Sequence, residues 1–178
     1  MTGHLSHICT ADLVINPATR KDLESITAIY NQAILNTTAT FDTQEKSEEE
    51  QEIWYDQHGD SYPLLVARLN GAIVGWAALS PWSDRCAYET TAEVSVYVAD
   101  EHRGQGVGIQ LLQALLEAGT KSGLHLAVAR IVEGNPASLR LHKKVGFRTV
   151  GTLKEAGYKF EQYLDVIIME KLLDGSRK

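Results

Sequence analysis

Cysteine is nearly missing from this chain of 178 residues: there are two, Cys9 and Cys86, too few for a disulfide framework. The expectation is therefore a reduced, cytoplasmic protein. No apolar run approaches membrane-spanning length, and the N-terminus lacks the basic-then-apolar pattern of a signal peptide. Positive charge is in the minority, 17 Lys and Arg against 23 Asp and Glu for a net charge of -6. That balance argues against nucleic acid or anionic membrane as partner, while a local basic pocket stays compatible with it. Internal repeats and low-complexity tracts are missing too. One domain is expected over 13–173, long enough to bury its own core, between tails at 1–12 and 174–178. The first tail carries His4, His7 and Cys9, a set that could in principle catch a metal. A plain terminal tail accounts for them as well, and no metal site is expected.

What is present is a strand, a glycine-rich turn and a helix in unbroken succession. Ala92 to Val98 alternates, with Glu93, Ser95 and Tyr97 facing one way and Val94, Val96 and Val98 the other. Arg103-Gly104-Gln105-Gly106-Val107-Gly108 follows, and then Leu111, Leu112, Leu115 and Leu116 recur at helical spacing. A helix start presents unpaired N–H groups and a positive dipole end. Three glycines on alternate positions clear away the Cβ atoms that would hold an anion off those donors, so the turn suits a phosphate or pyrophosphate. It is not a dinucleotide fingerprint, because Ile109 stands where the third glycine belongs, and no Gly-Lys-Ser/Thr follows to make a P-loop.

Around this centre the other elements can be read in order. Leu13 to Asn16 is a short strand. Thr19 with Asp22 forms a capping-box-like start to a core helix whose apolar face is Leu23, Ile26, Ile29, Tyr30, Ala33 and Ile34. The segment 36–42 cannot sustain that helix; its Phe41 is either a staple for the loop or a wall of a pocket. Ser47 and Glu50 box a second, acidic helix expected to end near Gly59. Asn70-Gly71 splits Pro63–Leu69 from Ala72–Leu79 as a hairpin. The loop 80–91, with Trp82, Arg85 and Tyr88, hangs beside the end of the central strand. Leu126 to Ile131 is a strand, and Asn135, Pro136 and Gly146 bracket a short helix that puts Ser138 and His142 on one face. A strand begins at Phe147, residues 153–160 read as irregular, and Tyr163 to Leu172 is the last strand. The order β-α-α-β-β-β-α-β-α-β-β predicts an α+β sheet domain.

Arg-x-x-Gly-x-Gly directly after a Val-x-Val strand resembles the signature of the GCN5-related N-acetyltransferases, and the order of elements is that family's order. The resemblance spans roughly 15–172. It implies a mixed, mainly antiparallel sheet of about seven strands flanked by about four helices. It also implies acetyl-CoA as co-substrate, held by Val96, Val98 and the turn residues Arg103, Gly104, Gln105, Gly106, Val107 and Gly108. Asn135 and Ser138, in a segment similar to the family's second motif, would approach the pantetheine. Many members carry Tyr where this chain has His142. That histidine, the Phe41-Asp42-Thr43 segment, Pro81-Trp82 with Arg85, Ala87-Tyr88 and Thr91-Ala92-Glu93, and Lys159-Phe160 before Tyr163-Leu164-Asp165-Val166 together resemble one branch. It is the phosphinothricin and methionine sulfone/sulfoximine acetyltransferases. The branch implies a homodimer with substrate sites near the subunit interface, and Phe41, Arg85 and Tyr88 around the substrate.

Acetylation of an amine needs a base, donors for the developing oxyanion, and a route for the thiolate's proton. Glu93 is the expected base, or else is merely paired with Arg85 or another cation. The oxyanion donors would be backbone N–H groups within 94–98 freed by a bulge. His142 is acid, base through a water, or only a hydrogen-bonding group. Arg103, Lys143 and Lys144 meet CoA phosphates or are solvated charges; His58, His102 and His125 receive no role. Arg85 either clamps a substrate carboxylate or pairs with Asp84 or Glu89. The leading function is direct acetyl transfer, without an acyl-enzyme, to the α-amine of a small amino-acid-like substrate. Polyamines, aminoglycosides, protein N-termini, or acyl-CoA binding without turnover are the alternatives.

Overall fold

The computed structural model describes residues 13–173. His4, His7 and Cys9 and both tails lie outside the described residues. Among the described residues the elements are β1 (Leu13–Pro17), α1 (Leu23–Asn36), α2 (Glu48–Tyr55), β2 (Leu64–Leu69), β3 (Ala72–Pro81), β4 (Thr91–Val98), α3 (Val107–Lys121), β5 (Leu126–Val132), α4 (Pro136–Lys144), β6 (Arg148–Lys159) and β7 (Gln162–Leu172). The strands form one seven-stranded sheet in the order β1-β2-β3-β4-β5-β7-β6. Only β4 and β5 pair in parallel, over Thr91↔Leu126, Ala92↔Ala127 and Glu93↔Val128. The expected α+β fold, mainly antiparallel with four α-helices, is the one observed.

Local chemistry accounts for most element ends. Thr19 N–H donates to the Asp22 carboxylate at 2.8 Å, and a 3₁₀ turn (Arg20–Asp22) leads into α1. The reciprocal Ser47–Glu50 bonds, 2.9 and 3.2 Å, start α2. Asn70 and Gly71 both take positive φ, 51° and 85°, as a two-residue hairpin turn requires. The two faces of the sheet carry separate cores. Leu111, Leu112, Leu115 and Leu116 of α3 pack with Leu79, Val94, Ala127 and Met169 on one face, and Phe147 joins them. Leu23, Ile26 and Ile29 of α1 pack with Val66, Trp76 and Ala78 on the other.

Two expectations need correction. The second helix stops at Tyr55 rather than near Gly59, because the His58 ring folds back: Nδ1 lies 2.8 Å from the Trp54 carbonyl and Nε2 3.1 Å from Ser80 Oγ. Residues 153–160, read as irregular, largely belong to β6, a long strand with register shifts at Thr149/Gly151 and Leu153/Gly157. Glu155 takes φ 51° at the second shift, and Asp165 fastens it by accepting from Glu155 N–H at 2.7 Å and Lys154 Nζ at 2.5 Å. This strand is at the sheet edge and mostly exposed. Its polar, Gly-containing sequence therefore lacks the alternation that marks a half-buried strand.

Because α3 holds the glycine turn against the sheet through fully buried leucines, truncating one of them should loosen the whole domain. Leu112→Ala is expected to cost about 2–5 kcal/mol, measured as a lowered denaturation midpoint in urea at unchanged slope.

Candidate active site

The site begins where two neighbouring strands separate. β4 keeps pace with β3 over seven residue pairs, from Gly75↔Val98 to Pro81↔Ala92, without a register shift. Its parallel pairing with β5 ends at Glu93. Beyond that point the two strands diverge, and a cleft of about 1330 Å³ opens between them and runs over the glycine turn. Trp82 N–H donates to the Thr91 carbonyl and Ala99 N–H to the Val74 carbonyl. In an antiparallel ladder such bonds recur at every second residue, so odd-numbered β4 residues bond β3. By the same parity the Glu93↔Val128 pair uses the Val94 N–H, which donates to the Val128 carbonyl, so it is the Val94 carbonyl and the peptide groups of Val96 and Val98 that are turned toward the opening. A β-bulge was expected to free these donors. The register shows none within β4; divergence from β5 frees them instead.

The turn is built from local bonds. Arg103 Nε donates to the Val98 carbonyl at 3.1 Å and its Nη2 pairs with Asp100 at 2.7 Å, while Gln105 Nε2 donates to the Glu101 carbonyl at 2.8 Å. Gly104 and Gly106 take φ 74° and 89°, and a Cβ at either would meet nothing within 4 Å. Those positions are glycine for conformation and for open space above them. Gly108 differs: a Cβ there would be 3.5 Å from Leu141 Cδ2, an ordinary contact. Arg103, Gly104, Gly106, Gly108, Val96, Val98, Asn135 and Ser138 all border the cleft. Gln105 and Val107 do not; Val107 packs into the core. Arg140 and Lys144 supply cations along the rim, and Lys143 is not part of it.

Asn135 caps α4 by accepting from Ser138 N–H at 3.0 Å. One turn on, His142 is buried, with Nδ1 2.9 Å from the Ser138 carbonyl. A carbonyl can only accept, so Nδ1 carries the proton and Nε2 holds the lone pair. Nε2 is buried without a hydrogen-bond partner among the described residues. Burial holds the imidazole below its usual pKa, against the opposing pull of the Ser138 carbonyl.

Glu93, the last β4 residue paired with β5, borders the cleft. Both carboxylate oxygens are engaged by Arg130 of β5, Oε1 by Nε and Oε2 by Nη2, each at 2.5 Å. Arg130 in turn lies over the Trp82 ring, 5.8 Å from its centroid. Arg85, named as a possible partner of Glu93, is not the cation found there. Arg85 and Tyr88 stand on the exposed loop, in and beside a 3₁₀ turn (Cys86–Tyr88), and do not border the cleft.

Phe41 does border it. Its ring occupies the space over Gly157, where an added Cβ would lie 2.1 Å from Phe41 Cε1. That these surrounding residues meet here was not read from the sequence. Buried Lys159 donates from Nζ to the Thr40 carbonyl at 2.8 Å. Tyr30 Oη donates to Asp42 at 2.7 Å and lies 2.9 Å from Thr40 Oγ1. The Tyr97 ring stacks edge-on to Tyr30 at 5.0 Å, and burial pushes its phenol up to about 12. The legible signal for Arg130 was a lone charge within the apolar run Leu126–Val132; Lys159 stood only among the residues of the branch resemblance, with no role given to it, and Gly157 had no signal.

The chain matches the acetyltransferase (GNAT) domain family over residues 15–168, and it belongs to that family. Acetyl-CoA is the family's co-substrate, and the open turn and free β4 edge fit a long phosphate-bearing thioester. An L-methionine sulfoximine/L-methionine sulfone acetyltransferase of Pseudomonas aeruginosa is 41% identical over 158 residues, covering 88% of this chain and 92% of that protein. A phosphinothricin N-acetyltransferase of Streptomyces coelicolor is 38% identical over 168 residues, covering 92% and 98%. The fold superposes on yncA of Salmonella typhimurium, solved with its cofactor acetyl-CoA, with TM-score 0.89 at 34% identity, over 94% of this chain and 97% of that one.

At Gly106 any side chain forces an L-residue to φ 89° and fills space above the turn. Gly106→Val should weaken acetyl-CoA binding at least tenfold by calorimetric titration while the variant keeps a cooperative thermal transition. Unchanged affinity in the folded variant would take the turn out of the site.

Proposed function

We propose that this chain is a cytoplasmic, homodimeric enzyme that acetylates the α-amine of small amino-acid-like molecules of the methionine sulfone, methionine sulfoximine or phosphinothricin type. The observation that carries the reading is Glu93, a carboxylate placed at the fork of β4 and β5. The free strand edge and the phosphate-suited turn lie on one side of it and the Phe41–Tyr97 wall on the other. The relatives named above act, by their names, on such compounds. An apolar surface on β6, β7 and their connecting turn supports the dimer: Val150, Leu153, Tyr158, Phe160 and Tyr163 are each more than half exposed.

In this reading Glu93 takes a proton from the substrate ammonium, directly or through a water. The amine's freed electron pair forms the new N–C bond, the C–S bond breaks, and the sulfur leaves with its electrons. The second amine proton is released, and the thiolate takes up one, so the sum is ammonium plus thioester to amide, thiol and one proton. Peptide N–H groups on the open edge of β4 meet the negative charge developing on the thioester oxygen. His142 serves as acceptor through Nε2 rather than as acid, since an acid role would need an imidazolium in a place where burial disfavours charge. Direct transfer fits the surroundings: Cys86 is exposed and does not border the cleft.

A free-thiol assay with acetyl-CoA against a panel of amines tests the assignment. Methionine sulfone, methionine sulfoximine and phosphinothricin should exceed spermidine and aminoglycosides in kcat/KM. Preference for the polyamines, or no turnover of any amine, would replace this reading with another acetyltransferase or a binding module.

Glu93→Gln should keep acetyl-CoA affinity and lower kcat by roughly 10²–10⁴-fold. His142→Ala should lose less. Near-normal kcat for Glu93→Gln across the pH range would transfer the base role to His142.

A further inference from the structure

We infer that Arg130 is the residue that recognises the substrate's α-carboxylate, and that it does so while still bound to Glu93, one guanidinium bridging the catalytic and the substrate carboxylates. The inference rests on the function proposed above and names the group that would make the enzyme prefer amino acids to plain amines.

Covalent geometry makes the first selection. In an α-amino acid the carboxyl carbon is two bonds from the nitrogen, so it lies about 2.5 Å away. If Glu93 takes the amine's proton within hydrogen-bond reach, the substrate carboxylate must come to rest beside Glu93. Whatever cation receives it must also touch that neighbourhood. Arg130 is in direct contact with both Glu93 oxygens and borders the cleft. Arg85 is on the exposed loop and does not border it. Lys159 is committed to the Thr40 carbonyl beneath the Phe41 wall.

Donor capacity makes the second. A guanidinium carries N–H groups on three nitrogens in a rigid plane. Nε and Nη2 each give a bond to Glu93, and among the described residues Nη1 makes no hydrogen bond. Its free donors, with the second N–H of Nη2, form a further two-pronged face that matches a carboxylate. Two carboxylates brought this close repel one another unless a cation stands between them, and Arg130 already occupies that position. The side chain is 55% exposed, so the free face is accessible. Trp82 beneath the guanidinium, 5.8 Å away, holds its plane.

The test compares L-methionine sulfone with its carboxamide, which keeps the amine and the side chain but has no anion. Wild-type enzyme should favour the acid in kcat/KM, and Arg130→Ala should reduce the acid-to-amide ratio about ten- to hundred-fold, through KM for the acid. Arg130→Lys should recover part of the loss, since it restores charge without the fork. The inference is overturned if wild-type enzyme takes the carboxamide as well as the acid, a result that needs no variant to fold. It is also overturned if the ratio persists in Arg130→Ala, or if Arg85→Ala collapses it instead. These outcomes leave acetylation of the acid intact, whereas failure to acetylate any amino acid would remove the parent reading and this one together.

Discussion

Everything functional in this fold depends on the short parallel ladder between β4 and β5. It joins three residue pairs and then ends, while β4 remains paired to β3 over seven pairs and β5 to β7 over seven more. Each strand is thus held in place by its outer neighbour and can afford to part from its inner one. A buried peptide group left without a partner costs about 1–3 kcal/mol, so the inner edges must be satisfied by something. At Val98 the protein supplies its own donor, Arg103 Nε. At the Val94 carbonyl and at Val96 the fold leaves the edge for a ligand that can lie along a strand.

The fork explains where charge can be placed. Glu93 is the last β4 residue paired with β5, with its side chain only 22% exposed, and a carboxylate so placed needs a partner. Arg130 provides one from the adjacent strand in the two-pronged geometry that a lysine could not reproduce. A carboxylate offers about four acceptor sites and a guanidinium five donors. Their two hydrogen bonds therefore leave each with spare capacity, and pairing here does not exclude work on a substrate.

How much of this was legible before folding follows from the range of each signal. The glycine turn, the Thr19–Asp22 and Ser47–Glu50 boxes, the Asn70-Gly71 hairpin and the Asn135 cap are local, decided within about four residues, and they stand where the sequence puts them. The order of elements followed from them and from periodicity. Glu93 and Arg130 are far apart in the chain, and only the β4–β5 register brings them together, so Glu93's partner was sought on the adjacent loop, at Arg85. Gly157, Lys159 and Phe41 meet for a similar reason: a shift of register in an exposed edge strand carries no pattern. His58 was silent because a ring that caps a helix carbonyl looks, in sequence, like any surface histidine.

The alternation of β4 finally separates the two ligands that a transfer reaction must bring together. Val94, Val96 and Val98 turn their side chains toward α3, and Val96 and Val98 turn their peptide groups toward the opening, so this half of the strand carries no chemistry of its own and can serve a thioester by shape and backbone alone. Glu93, Ser95 and Tyr97 face the α1 side, where Tyr30, Asp42 and Phe41 stand. Lys159 and Gly157 bind that wall to the far edge of the sheet through the Thr40 carbonyl and the Phe41 ring. A side chain on one set of residues can therefore change to suit a new amine without disturbing the set that holds the acyl donor. The exception is Glu93, which stands at the fork where the two faces meet and where no substitution can affect only one of them.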